Sequence, residues 1–379
     1  MQVLAVDVGT GTQDIYLFQQ GVSLENGFKL VMPSPTMMVR RRVQRATEMG
    51  RTLLLQGAIM GGGPSHWAVE AHLLAGYKVF ATPDAARTFN DDLDWVTSEM
   101  GVKIVSKDEA AKLRDIERLT LRDFDYEQIA AAFAVFGVEL DPHAVAVAVF
   151  DHGAAPSGYS DRQFRFDYLN QCINQANRLS AFAFLAGDIP PIMTRMQAVA
   201  ETAEGFEAPW IVMDTAPAAV LGATLDPHVG SQERSMIVNV GNFHTLAFRL
   251  GPTGIEGVFE HHTGLLDVGR LDDYLAGFAA GTLTHDQVFQ DHGHGALIQH
   301  DQPLEMDGNG FQVTVTGPRR AMMNESRLLT HMAVPYGDMM IAGCFGMLRA
   351  AADLLPDMGD VIMDALSGLQ PQQAPWDVE

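Results

Sequence analysis

Short apolar runs bounded by glycine or polar residues are the first pattern along the chain. Residues 3–8 and 14–18 are two such runs, and a Gly/Thr-rich turn separates them. Runs of this length are typical of buried strands, and a short glycine turn between two of them predicts a β-hairpin. A third run, at residues 144–150, predicts another buried strand that ends in the sequence DHG.

Apolar residues at helical spacing predict the helices. Residues 65–75 have this spacing and are followed by Gly76, a residue type that commonly ends a helix. We predict further, mainly helical, segments at residues 108–136 and 162–206. A helix rich in small residues is predicted at residues 214–223, directly after the apolar strand "WIVM".

The second half of the chain repeats the opening pattern. Residues 235–250 read SMIVNVGNFHTLAFRL, which again predicts strand, glycine turn and strand, and a third strand follows within residues 254–264, GIEGVFEHHTG. The polar, turn-rich residues 225–234 separate the two halves. We therefore predict two domains, of residues 1–230 and 231–379, with a polar tail over the last twelve residues.

Composition narrows the class of protein. The 379 residues are 47% apolar, which is enough for a sizeable core, and the formal net charge is -22. A chain this acidic is not expected to take nucleic acid or an anionic membrane as its main partner. Its longest apolar runs are too short to cross a bilayer, and no secretory signal pattern is visible. We expect a cytoplasmic protein.

The two cysteines exclude one class of chemistry. Cys172 and Cys344 lie far apart in the chain, and this spacing predicts buried thiols rather than a disulfide framework. An iron–sulfur cluster requires several clustered thiolates. The chain is therefore not expected to be a radical-SAM activating enzyme.

The segment "DVGTGTQD", at residues 7–14, has the residue types that a nucleotide phosphate and its Mg²⁺ require. Small residues in a tight turn allow backbone N–H groups to approach phosphate oxygens, and hydroxyls can donate to them as well. A carboxylate such as that of Asp7 can hold the metal, often through water. An ordinary glycine-rich hairpin has the same local pattern, so this segment alone leaves both interpretations open.

The order of several segments adds a family resemblance. "LAVDVGTGTQDIYLF" resembles the first phosphate loop of the superfamily of actin, the heat-shock chaperone ATPases and the sugar kinases. "WIVMDTAPAAVLGAT" and then "MIVNVGNFHTLAFRL" are similar to its first connecting helix and second phosphate loop. "VTVTGPRR" resembles the adenosine-side turn, and "GDMMIAGCFGMLRAAA" resembles the second connecting helix. Within the superfamily, "GAIMGGGPSHWAV" and "VFDHGAAPSGYSDRQFRF" resemble an uncharacterised prokaryotic family often labelled pyruvate formate-lyase activating enzymes.

This resemblance implies a fold and a set of ligands. The fold is α/β, with two actin-like domains, each ribonuclease H-like, and a nucleotide cleft between them. The ligands are ATP, Mg²⁺ and a small, anionic substrate. The protein is then a kinase of that substrate or an ATPase. Whether it forms a homo-oligomer stays an open question. Asp7 and Asp214 are the implied catalytic carboxylates. The residues implied to contact the nucleotide are Gly9, Thr10, Gly11, Thr12, Gln13, Asn239, Gly241, Asn242, His244, Thr245 and Gly317.

Asn239 departs from the pattern of the superfamily. The second phosphate loop usually begins with an aspartate there. Asparagine brings no negative charge, so it holds Mg²⁺ less well and cannot act as a base. A non-catalytic nucleotide sensor or scaffold is therefore an alternative function.

Histidines suggest a second alternative, a metal-dependent enzyme. Nine of the 13 histidines lie between residues 228 and 331. Asp-His-Gly occurs twice, and its side chains suit zinc, iron or manganese. Polar residues that merely line a cleft have the same pattern. The metal ligands predicted by this alternative are Asp151, His152, Asp291 and His292, whereas Asp7 is the predicted ligand of Mg²⁺.

Two further segments are candidates for substrate binding. The glycines at residues 61–63 stand between a predicted strand and a predicted helix, where backbone amides favour anions. We expect this loop to bind the second substrate, although a dinucleotide loop has a similar pattern. Arg162 and Arg165, near Asp161, suit a carboxylate or phosphate, and structural ion pairs are the alternative.

Overall fold

A computed structural model describes residues 1–203, 206–300, 302–306 and 312–368. The last eleven residues, which contain most of the predicted polar tail, lie outside the described residues. Elements are numbered in chain order.

Six strands form the first sheet. They are β1 (Gln2–Val8), β2 (Thr12–Gln19), β3 (Phe28–Pro33), β8 (Ala144–Val149), β9 (Ala183–Leu185) and β10 (Trp210–Asp214). The order across the sheet is β3-β2-β1-β8-β10-β9. β1, β2 and β3 form an antiparallel meander, whereas β8 and β10 continue parallel to β1. Every residue of β8 is buried, as expected for a parallel strand covered on both faces.

The second sheet repeats this topology. Its strands are β11 (Ser235–Val240), β12 (His244–Gly251), β13 (Gly254–His262), β14 (Gly295–Ile298), β15 (Val313–Thr316) and β16 (Thr330–Met332). Their order is β14-β13-β12-β11-β15-β16, again a meander followed by two parallel strands. The duplicated arrangement is the two-domain actin-like ATPase fold, which confirms the predicted fold class.

A third sheet is inserted between β3 and β8. Its strands, all parallel, are β4 (Leu53–Gly57), β5 (Val79–Ala81), β6 (Lys103–Ile104) and β7 (Glu117–Leu121). The predicted helical region at 108–136 is wrong at β7. There Leu119 and Leu121 alternate with more exposed residues and are buried in a separate core with Leu53 and Leu55.

Helices pack against these sheets. They are α1 (Pro35–Glu48), α2 (Pro64–Leu74), α3 (Pro83–Ala86), α4 (Leu93–Ser98), α5 (Lys107–Lys112), α6 (Tyr126–Ala134), α7 (Asp161–Gln175), α8 (Thr194–Glu201), α9 (Thr215–Ala223), α10 (Pro227–Gly230), α11 (Val268–Ala279), α12 (His285–Gln290), α13 (Ala342–Leu354) and α14 (Pro356–Leu366). In the part of the chain that the structure describes, none of the helices has both the length and the apolar character needed to cross a bilayer.

Two of these helices cross with their backbones in contact. A Cβ atom on Gly222 of α9 would lie 1.7 Å from the carbonyl oxygen of Ala342, and one on Gly346 of α13 would lie 1.9 Å from that of Ala218. The crossing carries α13 back to the first sheet, where Phe345 is buried in the core that includes β1. The domain boundaries at residue 230 stay a prediction, because α13 follows the second sheet in sequence but packs on the first.

Candidate functional site

A cleft of about 340 Å³ lies where the three sheets approach one another. The turns after β1 and β11 line it, together with the chain that follows β8 and the chain that follows β4. The starts of α9 and α13 complete the lining. The carboxyl ends of the parallel strands thus open into this cleft, which is where ligands bind in open α/β sheets.

Two glycine turns of the same form face each other in the cleft. The N–H of Gly9 donates to the carbonyl of Thr12 at 2.9 Å, and the N–H of Gly241 donates to that of His244 at 3.0 Å. The Nδ2 atom of Asn242 lies 3.1 Å from the point that a Cβ on Gly11 would occupy. The two predicted phosphate loops therefore meet across the cleft.

Most of the predicted nucleotide-contacting residues line the cleft. Those that do are Gly9, Thr10, Gly11, Thr12, Asn239, Gly241, Asn242, His244 and Gly317. Gln13 and Thr245 are not among the lining residues. Gln13 is buried and donates to the carbonyl of Pro33 at 3.1 Å, and the Thr245 hydroxyl pairs with that of Thr263 at 2.9 Å. Both side chains face away because alternate residues of a strand point to opposite faces.

Asp7 and Asp14 form a carboxylate pair beside the first turn. They are direct partners in the register of β1 and β2, and both line the cleft. The Thr215 hydroxyl donates to Asp7 at 2.6 Å. Burial raises the pKa of Asp7 to about 6, and burial followed by repulsion from Asp7 raises that of Asp14 to about 8. A buried oxygen of Asp14, Oδ1, has no hydrogen-bond partner among the described residues.

These two carboxylates fit a magnesium ion. Mg²⁺ takes oxygen ligands and is commonly held by one or two carboxylates together with waters and substrate phosphates. A bound cation would offset the burial that raises both pKa values, and the repulsion from Asp7 that further raises that of Asp14. Asp7 and Asp14 would hold it, whereas the sequence had indicated Asp7 alone. The hairpin register contained the missing signal, because a turn that pairs Val8 with Gln13 also pairs Asp7 with Asp14.

Asp214 lies in surroundings that differ from those predicted for a catalytic carboxylate. It is fully buried, is not among the residues lining the cleft, and caps α9 by accepting from the N–H of Ala216 at 3.2 Å. Its carboxylate is ion-paired with Arg165, which also contacts Glu260 at 3.3 Å. Burial raises the pKa of Asp214. Asp214 therefore lies beneath the cleft, where it holds Arg165 and the start of α9, and its catalytic role stays a prediction.

The two arginines predicted to bind an anion are used inside the protein. Arg165 is fully buried in the ion-pair network just described. Arg162 donates to the carbonyls of Phe289 and Gly293. The structural alternative thus holds for both side chains.

The predicted metal ligands do not come together as one group. Asp151 accepts from three backbone N–H groups at 2.9 to 3.0 Å. Asp291 accepts from Arg270 at 2.6 Å and Tyr274 at 2.5 Å, and neither Asp291 nor the exposed His292 is among the cleft-lining residues. His152 does line the cleft, where it lies close to two other histidines.

His152 belongs to a cluster of three histidines. His152, His244 and His294 each offer a ring nitrogen, and these atoms all lie within 4.8 Å of one another. The sequence indicated the segment that carries His294 but singled out its neighbour two positions earlier. Proximity of segments so far apart in the chain depends on the assembled fold and is not visible in local spacing.

The glycine loop after β4 forms the opposite wall. The N–H of Gly61 donates to Asp123 at 3.1 Å, and Arg195 fixes the same carboxylate at 2.7 Å. The ring of Trp67, in α2, contacts that of Phe243, in the second turn, with centroids 5.5 Å apart. The loop therefore reaches across the cleft, and its predicted role with a second substrate stays a prediction.

The duplicated sheet topology, with a glycine turn in each half, is that of the actin-like fold of ATPases and kinases. A family model described as "Putative pyruvate format-lyase activating enzyme (DUF1786)" matches residues 60–322, and the chain belongs to that family. No match to a curated protein was found.

Solved structures give weaker likenesses. MreB5 of Spiroplasma citri bound to ADP is 10% identical, with 97% of this chain and 98% of that chain covered and a TM-score of 0.31. The ROK hexokinase from Thermus thermophilus is 11% identical, with 91% and 98% covered and a TM-score of 0.28. A ROK family transcriptional regulator, homolog of the E. coli MLC protein, is 9% identical, with a TM-score of 0.23; the match covers 67% of this chain and only 37% of that chain. Scores this low carry no argument, and the fold rests on the sheet topology.

The activity in the family description does not fit the cysteines of this chain. Cys172 and Cys344 are its two cysteines, and both are buried, free and in different hydrophobic clusters. Burial raises the pKa of each thiol. A thiolate-held iron–sulfur cluster has no set of ligands here.

Proposed function

We propose that the protein binds Mg²⁺-ATP and transfers its terminal phosphoryl group to a small molecule. The observation that carries the proposal is the pair of matching glycine turns that face each other beside Asp7 and Asp14. Gly9 and Gly11 in the first turn and Gly241 in the second leave room for phosphate oxygens near backbone amides, and the Thr10 and Thr12 hydroxyls lie in the same lining.

The residues of the cleft divide the work of such a transfer. Asp7 and Asp14 would hold Mg²⁺, and the bound ion would neutralise charge on the phosphates. The two turns would hold the phosphate groups in place, and Gly317 lies on the side expected for the adenosine. Phosphoryl transfer depends mainly on positioning and charge stabilisation, and these residues would supply groups for both.

The acceptor site is proposed at the glycine loop. Gly61, Gly62 and Gly63 line the same cleft as the phosphate turns, and Arg87 and Arg195 line it beside them. The Arg195 guanidinium is already engaged with Asp123 and with the carbonyl of Phe150. The Arg87 guanidinium, which pairs with Asp84 through one nitrogen at 3.2 Å, is the group that suits a carboxylate or phosphate on the acceptor. We therefore propose a small, anionic acceptor.

A second candidate, a nucleotide sensor without turnover, is favoured by two observations. Asn239 stands where a second carboxylate would strengthen the metal site, and its Oδ1 lies 2.4 Å from the point that a Cβ on Gly317 would occupy. Asp214 is committed to Arg165. The two candidates differ in turnover: phosphate release or transfer from ATP at a measurable rate favours the enzyme, and tight binding without it favours the sensor.

Thermal unfolding with and without Mg²⁺-ATP tests nucleotide binding. A ligand at about 100 times its Kd adds about 2.7 kcal/mol of stability, which raises the midpoint by several degrees. We expect this shift in the wild type and its loss in Asp7→Asn. Asp141→Asn is the matched control, because Asp141 is exposed and precedes β8, at the end of the strand away from the cleft. Equal shifts in all three proteins, or none in the wild type with any nucleotide, would refute the proposal.

A further inference from the structure

Three histidines from distant parts of the chain converge at the inner wall of the cleft. His152 follows β8, His244 begins β12 and His294 precedes β14. One ring nitrogen of each lies within 4.8 Å of the others. The rings of His152 and His244 line the cleft, and His294 is completely buried behind them.

The buried member of this cluster has unused ring nitrogens. Neither Nδ1 nor Nε2 of His294 has a hydrogen-bond partner among the described residues. Leaving a buried polar atom unpaired costs about 1–3 kcal/mol, so two such atoms on one ring call for a partner. The distance from Nε2 of His294 to the Glu260 carboxylate is 3.8 Å, which is too long for a hydrogen bond.

The surroundings keep these rings neutral. Burial lowers the pKa of His294 to about 2 and holds those of His152 and His244 well below the usual range, and neighbouring histidines and Arg165 add to the effect. A neutral imidazole keeps a lone pair available on one nitrogen, which is the form that binds a metal.

We propose that His152, His244 and His294 bind one divalent transition-metal ion of the zinc type. Imidazole nitrogens suit zinc, iron, copper and nickel, whereas Mg²⁺ prefers oxygen. Zinc–nitrogen bonds of about 2.0–2.1 Å place tetrahedral nitrogens about 3.3 Å apart, so the rings move inward by an ångström or so on binding.

Three protein ligands leave one position of a tetrahedral ion open. Because His152 and His244 line the cleft, that position faces the ligand space. An anionic oxygen, of a phosphate or a carboxylate, is the class of ligand that it would take. This site uses different donors from the Asp7–Asp14 pair, and the inference does not depend on nucleotide binding.

Metal titration of the full chain, freed of metal with a chelator and free of nucleotide, tests the site. We expect calorimetry to show one Zn²⁺ per chain and Co²⁺ to give the strong visible absorption of a four- or five-coordinate ion. Inorganic phosphate should shift the Co²⁺ bands if the open position faces the cleft. Excess Mg²⁺ should not displace either ion.

Variants identify the ligands. His294→Ala and His244→Ala should each weaken Zn²⁺ binding by more than the roughly 10–100-fold that loss of an outer partner costs. His143→Ala is the matched control, because His143 is exposed and precedes β8, the strand that His152 follows. Circular dichroism checks folding, and the partly exposed His244 keeps the test valid if loss of His294 prevents it. Absence of stoichiometric binding in the wild type, or unchanged affinity in the His244 variant, would overturn the proposal, even where Mg²⁺-ATP still stabilises the protein.

Discussion

Replacing Asp14 with asparagine removes one carboxylate of the pair at the ends of β1 and β2 while nearly preserving side-chain size. The pKa of Asp14 rises from 3.8 to about 8 on folding, first because it is buried and then because Asp7 repels its charge. Between these values the folded protein holds a proton that the unfolded chain releases. The stability from Asp14 is therefore present below pH 3.8 and is lost as the pH rises toward 8.

The size of the effect follows from this difference. Each pH unit between the two pKa values costs about 1.4 kcal/mol per group. Between pH 5 and pH 7, Asp14 alone costs the metal-free protein on the order of 3 kcal/mol of its free energy of unfolding. Asp14→Asn has no carboxyl group to ionise at this position, so the free energy of unfolding of the variant should fall less steeply over the same pH range.

Urea unfolding of both proteins at pH 5, 6 and 7, with a chelator present, measures the difference. We expect the difference in free energy of unfolding, variant minus wild type, to increase by on the order of 3 kcal/mol from pH 5 to pH 7. Added Mg²⁺ at pH 7 should stabilise the wild type more than the variant, because it binds the ionised pair. Parallel pH profiles, with equal responses to Mg²⁺, would refute both the pairing and the metal site.

Two more substitutions test how the cleft is built. In Gly343→Ala, the new Cβ would lie 1.9 Å from Oδ2 of Asp7. We therefore expect the free energy of unfolding in urea to fall by about 1–3 kcal/mol, and Mg²⁺-ATP to stabilise the variant less than the wild type. An unchanged response to nucleotide would contradict the contact. Arg165→Met leaves two buried carboxylates without their cation and should cost about 3–5 kcal/mol. The control is Arg349→Met, which breaks the partly exposed ion pair between Arg349 and Asp353 in α13 and should cost under about 1 kcal/mol. A similar loss of stability in both arginine variants would show that burial does not decide the effect.

Local signals explain why the phosphate turns could be predicted from the sequence. A glycine turn between two apolar runs determines a hairpin within about fifteen residues, and the pattern occurs twice. The small-residue helices were predictable for a similar reason, since Gly222 and Gly346 stand out in otherwise apolar helices. Both features depend on neighbours along the chain.

The third sheet shows where such signals fail. The strand before the glycines at residues 61–63, β4, was predicted. β6 has two residues, and β7 has five residues between two short helices, so neither gives a strand pattern that stands out from its neighbours. β7 was absorbed into a predicted helix for this reason. The pairing of four parallel strands depends on crossovers between segments, and that information is not present in any one of them.

The two Asp-His-Gly segments show how sequence and structure divide the description of a site. The sequence left two interpretations open for both segments: a metal site with aspartate and histidine as joint ligands, or polar residues that line a cleft. In the structure the aspartates hold the loops: Asp151 accepts three backbone N–H groups, and Asp291 is fixed by Arg270 and Tyr274. The histidines that reach the cluster are His152, one position after its aspartate, and His294, three positions after.

The difference of two positions has a structural cause. After Asp151, the chain leaves a buried strand at the edge of the cleft, so the next side chain already faces the ligand space. After Asp291, the chain first turns through His292, whose φ of 66° is left-handed, before it enters β14. His292 is exposed as a result, and His294 is carried inward. The same three letters therefore place a histidine in the cleft at one site and at the surface at the other, because the backbone after the aspartate differs.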